Sequence, residues 1–131
     1  MADKQVDHVD MVVVGAGFAG MYMLYGARNA GLSVKCFEAG DGVGGTWYWN
    51  RYPGARVDIE CLEYSYSFSE DLQKEWNWTE RYAGQPELLD YANHVADRYN
   101  LREDITFETR VVSTIFDEDS QRWIVKTDGG H

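Results

Sequence analysis

An α/β fold built on a short parallel sheet is what this sequence predicts, and three observations predict it. A β-branched run from Val9 to Val14 leads straight into Gly15-Ala16-Gly17-Phe18-Ala19-Gly20. An apolar helical segment follows it, and a second β run ends on an acid, Glu38. Strand, glycine turn, helix, strand and acid make one dinucleotide-binding unit, with the acid about 20 residues past the glycines as that unit requires. The chain has 131 residues, 44% hydrophobic and 15% aromatic, so one domain with a real core is expected.

Each element has its own signal. Val9 to Val14 is nearly continuous in apolar residues, as in a strand buried on both faces of a parallel sheet. Met21 to Ala30 is rich in Met, Leu, Ala and Tyr, and Gly31 ends it as a helix. Ser33 to Phe37 is the second strand. Ile59 to Phe68 has no clean period and reads as irregular to short helical, while Ser69-Glu70-Asp71 caps a short helix to about Trp76. The clearest helix starts at Pro86 and carries Leu88, Ala92, Val95, Ala96 and Tyr99 on one stripe, with Asn100 as a left-handed terminator. Ile105 to Val111 is predicted as a third parallel strand. Val112–Phe116 and Trp123–Thr127 are predicted as a hairpin joined by the acidic turn 117–121. The expected sheet order is third, second, first strand. The first strand then has a bare edge with no later strand in sight, and the reading is that residues 1–131 are the N-terminal part of a larger domain whose closing strand lies elsewhere, or that they work beside a complementary polypeptide.

Charge and composition exclude several classes. A net charge of −10 opposes binding to nucleic acid or an anionic membrane. No run approaches the roughly 20 apolar residues of a membrane span, and the polar stretch from Met1 to His8 lacks the pattern of a secretion signal. Cys36 and Cys61 are too few and too isolated for a disulfide framework, a metal site or a dithiol centre, which favours a reducing, cytoplasmic setting. No metal ligands are assigned. His8, His94 and His131 stand alone, with no nucleophile or second ligand nearby in sequence, and read as exposed or capped residues.

The glycine turn carries the first site. Gly15 permits the turn out of the strand, Gly17 lets backbone approach a pyrophosphate, and Gly20 lets the helix pack against the sheet. The helix N-terminus offers free N–H groups to the phosphates. Glu38 can accept hydrogen bonds from both ribose hydroxyls but would repel a 2′-phosphate, so the turn suits FAD or NAD rather than NADP. A second segment, Gly44-Gly45-Thr46-Trp47-Tyr48-Trp49-Asn50-Arg51-Tyr52-Pro53-Gly54-Ala55-Arg56-Val57-Asp58, combines turn-forming glycines with aromatic surface and unpaired charges. It reads as a loop that wraps a flavin; an aromatic loop packed on a neighbour is the alternative.

With these residues in place, the chain resembles the N-terminal region of the type I Baeyer–Villiger monooxygenases. Gly44, Gly45, Trp47, Tyr52, Pro53, Gly54 and Asp58 occupy the fixed places of that family's [A/G]-G-x-W-x4-[F/Y]-P-[G/M]-x3-D pattern. Glu63 to Phe68 and Glu75 to Trp78 are similar to the phenylacetone and steroid monooxygenase branch. The resemblance implies an FAD- and NADPH-dependent enzyme that uses O2, through a C4a-peroxyflavin, to convert a ketone into an ester or lactone. By the same resemblance Gly15, Gly17, Phe18, Ala19 and Gly20 hold the FAD pyrophosphate and Glu38 its ribose. Gly45, Thr46 and Trp47 line the flavin, with Tyr64 and the backbone around Val111 completing the site. Asp58, the one catalytic residue assigned, pairs with an arginine that these residues do not include; Arg51 and Arg56 are not given that part. The NADPH-binding glycine motif and the F-x-G-x3-H-x3-W-P fingerprint are also absent, so the chain alone is expected not to turn over. Two other readings are an N- or S-oxygenating flavin monooxygenase and an FAD- or dinucleotide-binding module without chemistry.

Overall fold

A computed structural model describes residues 7–131; the polar stretch 1–6 lies outside the described residues. The chain runs through β1 (Met11–Val14), α1 (Phe18–Asn29), β2 (Val34–Phe37), α2 (Thr46–Trp49), α3 (Cys61–Tyr64), α4 (Glu70–Glu75) and α5 (Gln85–Arg98). A 3-10 turn (Leu101–Asp104), β3 (Ile105–Thr106), β4 (Val111–Asp117) and β5 (Arg122–Thr127) complete it.

The first three strands form a parallel sheet in the order β1-β2-β3, with Met11 opposite Val34 and Cys36 opposite Ile105. This is the expected order. One core joins Val13, Cys36 and Ile105 of the sheet to Met21 and Leu24 of α1 and to Tyr91, Ala92, Val95 and Ala96 of α5. A smaller core gathers Trp47, Val57, Cys61, Ala83 and Leu88. α1 begins three residues earlier than predicted, because Phe18 already has helical backbone immediately after Gly17, and Gly31 at φ 74 ends it. Ser69 caps α4, its Oγ accepting the Leu72 N–H at 3.2 Å, and Asn100 is left-handed at φ 49.

Three expectations are corrected. The third strand is two residues long, not seven: Glu108 turns at φ 51, and the Thr109 N–H then bonds back to the Glu38 carbonyl at 2.9 Å. β1 is not buried on both faces, since Val13 is buried but Val14 is 62% exposed. Among the described residues β1 pairs only with β2, so its other edge opens onto a groove lined by Thr114, Trp123 and Val125 of the hairpin. The acidic turn is shorter than read, because Asp117 belongs to β4 and pairs with Arg122. His94 is half-buried, its ring 5.3 Å from that of Trp76. Tyr82 lies on the surface, while Trp76 and Trp78 pack against the main core.

Arg28, in the last turn of α1, ties that helix to the end of α5. Its guanidinium donates to the Tyr99 carbonyl at 2.7 Å, the Asn100 carbonyl at 2.6 Å and the Asp104 carboxylate at 2.6 Å. The Tyr99 carbonyl, at the C-cap of α5, is among those a helix C-terminus leaves unpaired. Because Arg28 is partly exposed, Arg28→Ala is expected to lower stability by about 1–2 kcal/mol, read as a lower urea midpoint; an unchanged midpoint would show that water replaces the guanidinium.

Candidate functional site

Two glycine-bearing segments meet at the N-terminus of α1. Gly15 at φ 94 turns the chain out of β1, its N–H held by the Phe37 carbonyl at 2.8 Å. Gly17 and Gly45 then approach so closely that a Cβ on Gly45, itself at φ 54, would stand 2.9 Å from the Gly17 Cα. The Gly44 N–H to Ala16 carbonyl bond, 3.0 Å, fixes the approach. No side chain caps α1, whose first-turn N–H groups lack intrahelical partners. Ala19 and Thr46 are exposed at this junction. A bare, uncapped helix N-terminus flanked by two side-chain-free backbones is a cradle for an anionic group such as a pyrophosphate.

Glu38 closes the other side. It is 5% exposed, and its Oε1 accepts the Ala16 N–H at 2.9 Å while its Oε2 accepts the Gly40 N–H at 2.6 Å. The carboxylate thus ties the glycine turn to the chain leaving β2, a task that the sequence reading did not assign to it. Each oxygen keeps a second lone pair, so two hydroxyls of a ribose can still be accepted. Beneath the turn, Cys36 Sγ lies 3.5 Å from the Gly15 carbonyl. Burial and then the nearby Glu38 charge push the Cys36 thiol up to about 12, which leaves it inert as a nucleophile.

Trp47 is the fixed centre of the aromatic segment. Its indole N–H donates to the Tyr64 hydroxyl at 2.9 Å, and its carbonyl accepts from the buried Gln85 amide. The Tyr64 oxygen is therefore an acceptor for Trp47, and its own proton is free for another partner. The Phe18 ring lies 5.3 Å from Tyr64. Gln85 was missed because a lone glutamine near a helix start gives no signal of the carbonyl it will meet 38 residues back.

Asp58 owes its position to strand-like alternation. Ala55 and Val57 are buried, while Arg56 and Asp58 point outward. The segment is pinned where Val57 N–H donates to the Ala83 carbonyl at 3.1 Å and Gln85 N–H to the Ala55 carbonyl at 2.9 Å. Arg56 is engaged by Glu80 at 2.7 Å, and Arg51 donates to the Tyr48 carbonyl at 2.7 Å with its guanidinium over the Tyr48 ring. Among the described residues Asp58 has no cationic partner. The structure thus gathers Gly15, Gly17, Phe18, Ala19, Gly20, Glu38, Gly45, Thr46, Trp47 and Tyr64 around one junction. Asp58 stands on a neighbouring exposed segment, and Val111 opens β4 opposite Thr127. The backbone just before Val111 does reach the junction, Glu108 N–H donating to the Gly40 carbonyl at 2.9 Å.

Residues 13–72 match the family profile of the NAD(P)-binding Rossmann-like domain. The Baeyer–Villiger monooxygenase of Pseudooceanicola batsensis is 46% identical over 122 residues, which cover 92% of this chain and 22% of that one. A solved structure of oxidized steroid monooxygenase bound to NADP is 60% identical and superposes with a TM-score of 0.92, over 94% of this chain and 24% of that one. Over nearly all of its length the chain is thus similar to the N-terminal quarter of Baeyer–Villiger monooxygenases. The acetone monooxygenase (methyl acetate-forming) of Gordonia sp. (strain TY-5) is 50% identical over 93% of this chain and 23% of its own length. The phenazine N-monooxygenase of Lysobacter antibioticus is 47% identical over 99% and 24%. The chain therefore spans about a quarter of the length of the relatives it matches. No helix among the described residues is long and apolar enough to cross a membrane.

Proposed function

We propose that this chain is the FAD-binding portion of a cytoplasmic, NADPH- and O2-dependent Baeyer–Villiger monooxygenase that converts ketones to esters or lactones. The observation that carries this is the Gly17–Gly45 junction beside Glu38, with a Baeyer–Villiger-type loop supplying one half of it. When bound and reduced by NADPH, FAD supplies the O2 activation by which an oxygen atom enters beside the ketone carbonyl.

The chain's own residues bind and orient. Backbone N–H groups at Gly17, Phe18 and Ala19, helped by the α1 dipole, hold the pyrophosphate, with Gly15 and Gly20 shaping the turn. Glu38 accepts the ribose hydroxyls and rejects a 2′-phosphate by charge repulsion, which reserves this cradle for FAD and leaves NADPH to residues mostly outside this chain. Gly45, Thr46 and Trp47 line the flavin, and Tyr64 donates its remaining proton toward it, with the backbone around Val111 closing the far side. Asp58 is the catalytic carboxylate of the chain: outward-facing and unpaired, it holds an arginine supplied by the rest of the polypeptide, whose charge stabilises developing negative charge during oxygenation. In this reading residues 1–131 are the first part of an FAD domain that the remaining polypeptide completes.

The test is to load the complete polypeptide with FAD and follow ketone-dependent NADPH consumption and ester formation. Phenazine N-oxygenation by a relative 47% identical over this same region favours a second reading, N-oxygenation. An aromatic N-heterocycle panel therefore runs beside the ketone panel. Esters support the first reading; N-oxides without esters replace it with the second. A folded protein that stays colourless in added FAD overturns both and leaves a module without flavin chemistry. Asp58→Ala is expected to slow oxygenation about tenfold or more with a smaller change in FAD affinity, compared by single-turnover kinetics and flavin titration. Equal losses would mean that Asp58 serves binding alone.

A further inference from the structure

An unbroken file of aromatic rings leaves the junction and ends at the surface. Trp47 lies 6.1 Å from Tyr64 between ring centroids, Tyr64 5.3 Å from Phe18, and Phe18 5.9 Å from Tyr91. Tyr91 in turn lies 4.9 Å from Trp78, and Trp78 5.6 Å from Trp76. Trp47 and Tyr91 are buried, whereas Trp76 and Trp78 line an open groove between α3, α4 and the segment 77–81. Filling space does not need rings here, since the same core is completed by Leu24, Ala92, Val95 and Leu101.

We propose that this file is a one-electron relay, carrying an oxidising equivalent from the flavin beside Trp47 to Trp76 at the surface; the proposal rests on the FAD reading above. Each transfer moves one electron toward the flavin, and no bond forms or breaks. The oxidised isoalloxazine, excited by light, is the oxidant and gains one electron. Trp47 supplies it and is refilled along the file, so that the electron deficit comes to rest on Trp76. A soluble thiol then gives one electron to Trp76 from solvent, releasing its proton to water and leaving as a thiyl radical. Indoles suit the two ends because an oxidised indole can keep its N–H as a cation. The N–H groups of Trp47 and Trp78 face hydroxyls, Tyr64 at 2.9 Å and Ser65 at 2.7 Å, rather than bases that would take the proton. Trp76 Nε1 is buried with no acceptor among the described residues. Electron transfer weakens steeply with distance, so hops between the oxidisable rings Trp47, Tyr64, Tyr91, Trp78 and Trp76, with Phe18 bridging Tyr64 and Tyr91 without itself being oxidised, outrun one long jump from Trp47 to Trp76. The same route would draw damaging one-electron oxidants away from Trp47 whenever they arise at the flavin.

Flash excitation of the FAD-loaded protein tests this by transient absorption of tryptophan radicals, with visible flavin absorbance read first on every sample. The wild-type protein is expected to give a long-lived radical. Trp78→Phe keeps a ring for packing but is hard to oxidise, and should cut the long-lived yield several-fold at unchanged flavin content. Trp76→Phe, at the rim of the groove, should do the same and serves if Trp78→Phe fails to fold. Trp123→Phe, on the hairpin and 64% exposed, should change nothing. After steady illumination, mass spectrometry should find oxidation at Trp76 in the wild type and at Trp47 or Tyr64 in Trp78→Phe. A radical whose yield and lifetime ignore both substitutions, with flavin bound, overturns the relay while leaving the FAD reading intact. A protein without a flavin band fails at the earlier step and overturns both.

Discussion

Gly20→Ala is expected to cost about 3 kcal/mol or more of folding stability, since it brings the closest clash of any Cβ added at a glycine of this chain. A Cβ at Gly20 would lie 1.9 Å from the Gly15 carbonyl oxygen and 3.0 Å from its carbon. Both are backbone atoms of a turn whose N–H is bonded to β2, so no flexible side chain can swing aside. Relief requires α1 to lift away from β1, exposing Met21 and Leu24, which are fully buried in the main core. Set against the 5–15 kcal/mol that holds a typical domain together, such a loss removes roughly a fifth to three-fifths of the stability. The internal control lies on the same helix. Gly26 has open space where its Cβ would be, and it sits exposed inside α1. Gly26→Ala should therefore stabilise by about 0.5–1 kcal/mol through helix propensity alone. Urea denaturation of the two variants against the wild type gives shifts of opposite sign; two stabilising shifts would mean that helix propensity, not the clash at the turn, dominates both sites.

What could be read in advance follows from how local each cause is. Gly15, Gly17 and Gly20 were legible because their roles depend on the absence of a side chain at fixed spacing between a strand and a helix. The order of the parallel strands was legible for a similar reason, since a β-α-β unit admits few arrangements. The early end of β3 was not, because Glu108 adopts a left-handed backbone that its residue type does not announce. Burial along β1 was misjudged since it depends on what lies across its second edge, and Val9 to Val14 alone cannot say that only the hairpin groove is there. Tyr91 was left off the apolar stripe of α5 although it is almost completely buried: its hydroxyl accepts the Tyr66 N–H at 3.0 Å, a partner 25 residues away. Burial pushes the Tyr91 phenol upward, so it stays protonated and acts as packing with a polar handle. Asp58 was legible as an outlying charge, and its outward direction follows from the alternation Ala55, Arg56, Val57, Asp58.

Glu38 is where local and distant causes meet, and its replacement should separate them. Glu38→Gln keeps the shape but turns one acceptor into an NH2 donor. One of the two backbone donors, Ala16 N–H or Gly40 N–H, must then face a donor in a site only 5% exposed. Leaving a buried N–H unpaired costs about 1–3 kcal/mol, and the loss should appear without any ligand as a lower urea midpoint. FAD affinity should fall further, by about tenfold to a hundredfold, because the amide also offers the ribose one acceptor where the carboxylate offered two. Glu38→Asp divides the contributions differently. It retains the charge but withdraws it by one methylene from Ala16, so the turn loosens while the attraction for hydroxyls persists. Flavin titration at a temperature where every variant is folded distinguishes the terms. If Glu38→Gln binds FAD as tightly as the wild type while unfolding at lower urea, the carboxylate is a structural clasp alone and the ribose is held elsewhere. If both quantities fall, and Glu38→Asp loses stability more than affinity, one carboxylate holds the turn together and reads the ribose with the lone pairs left over.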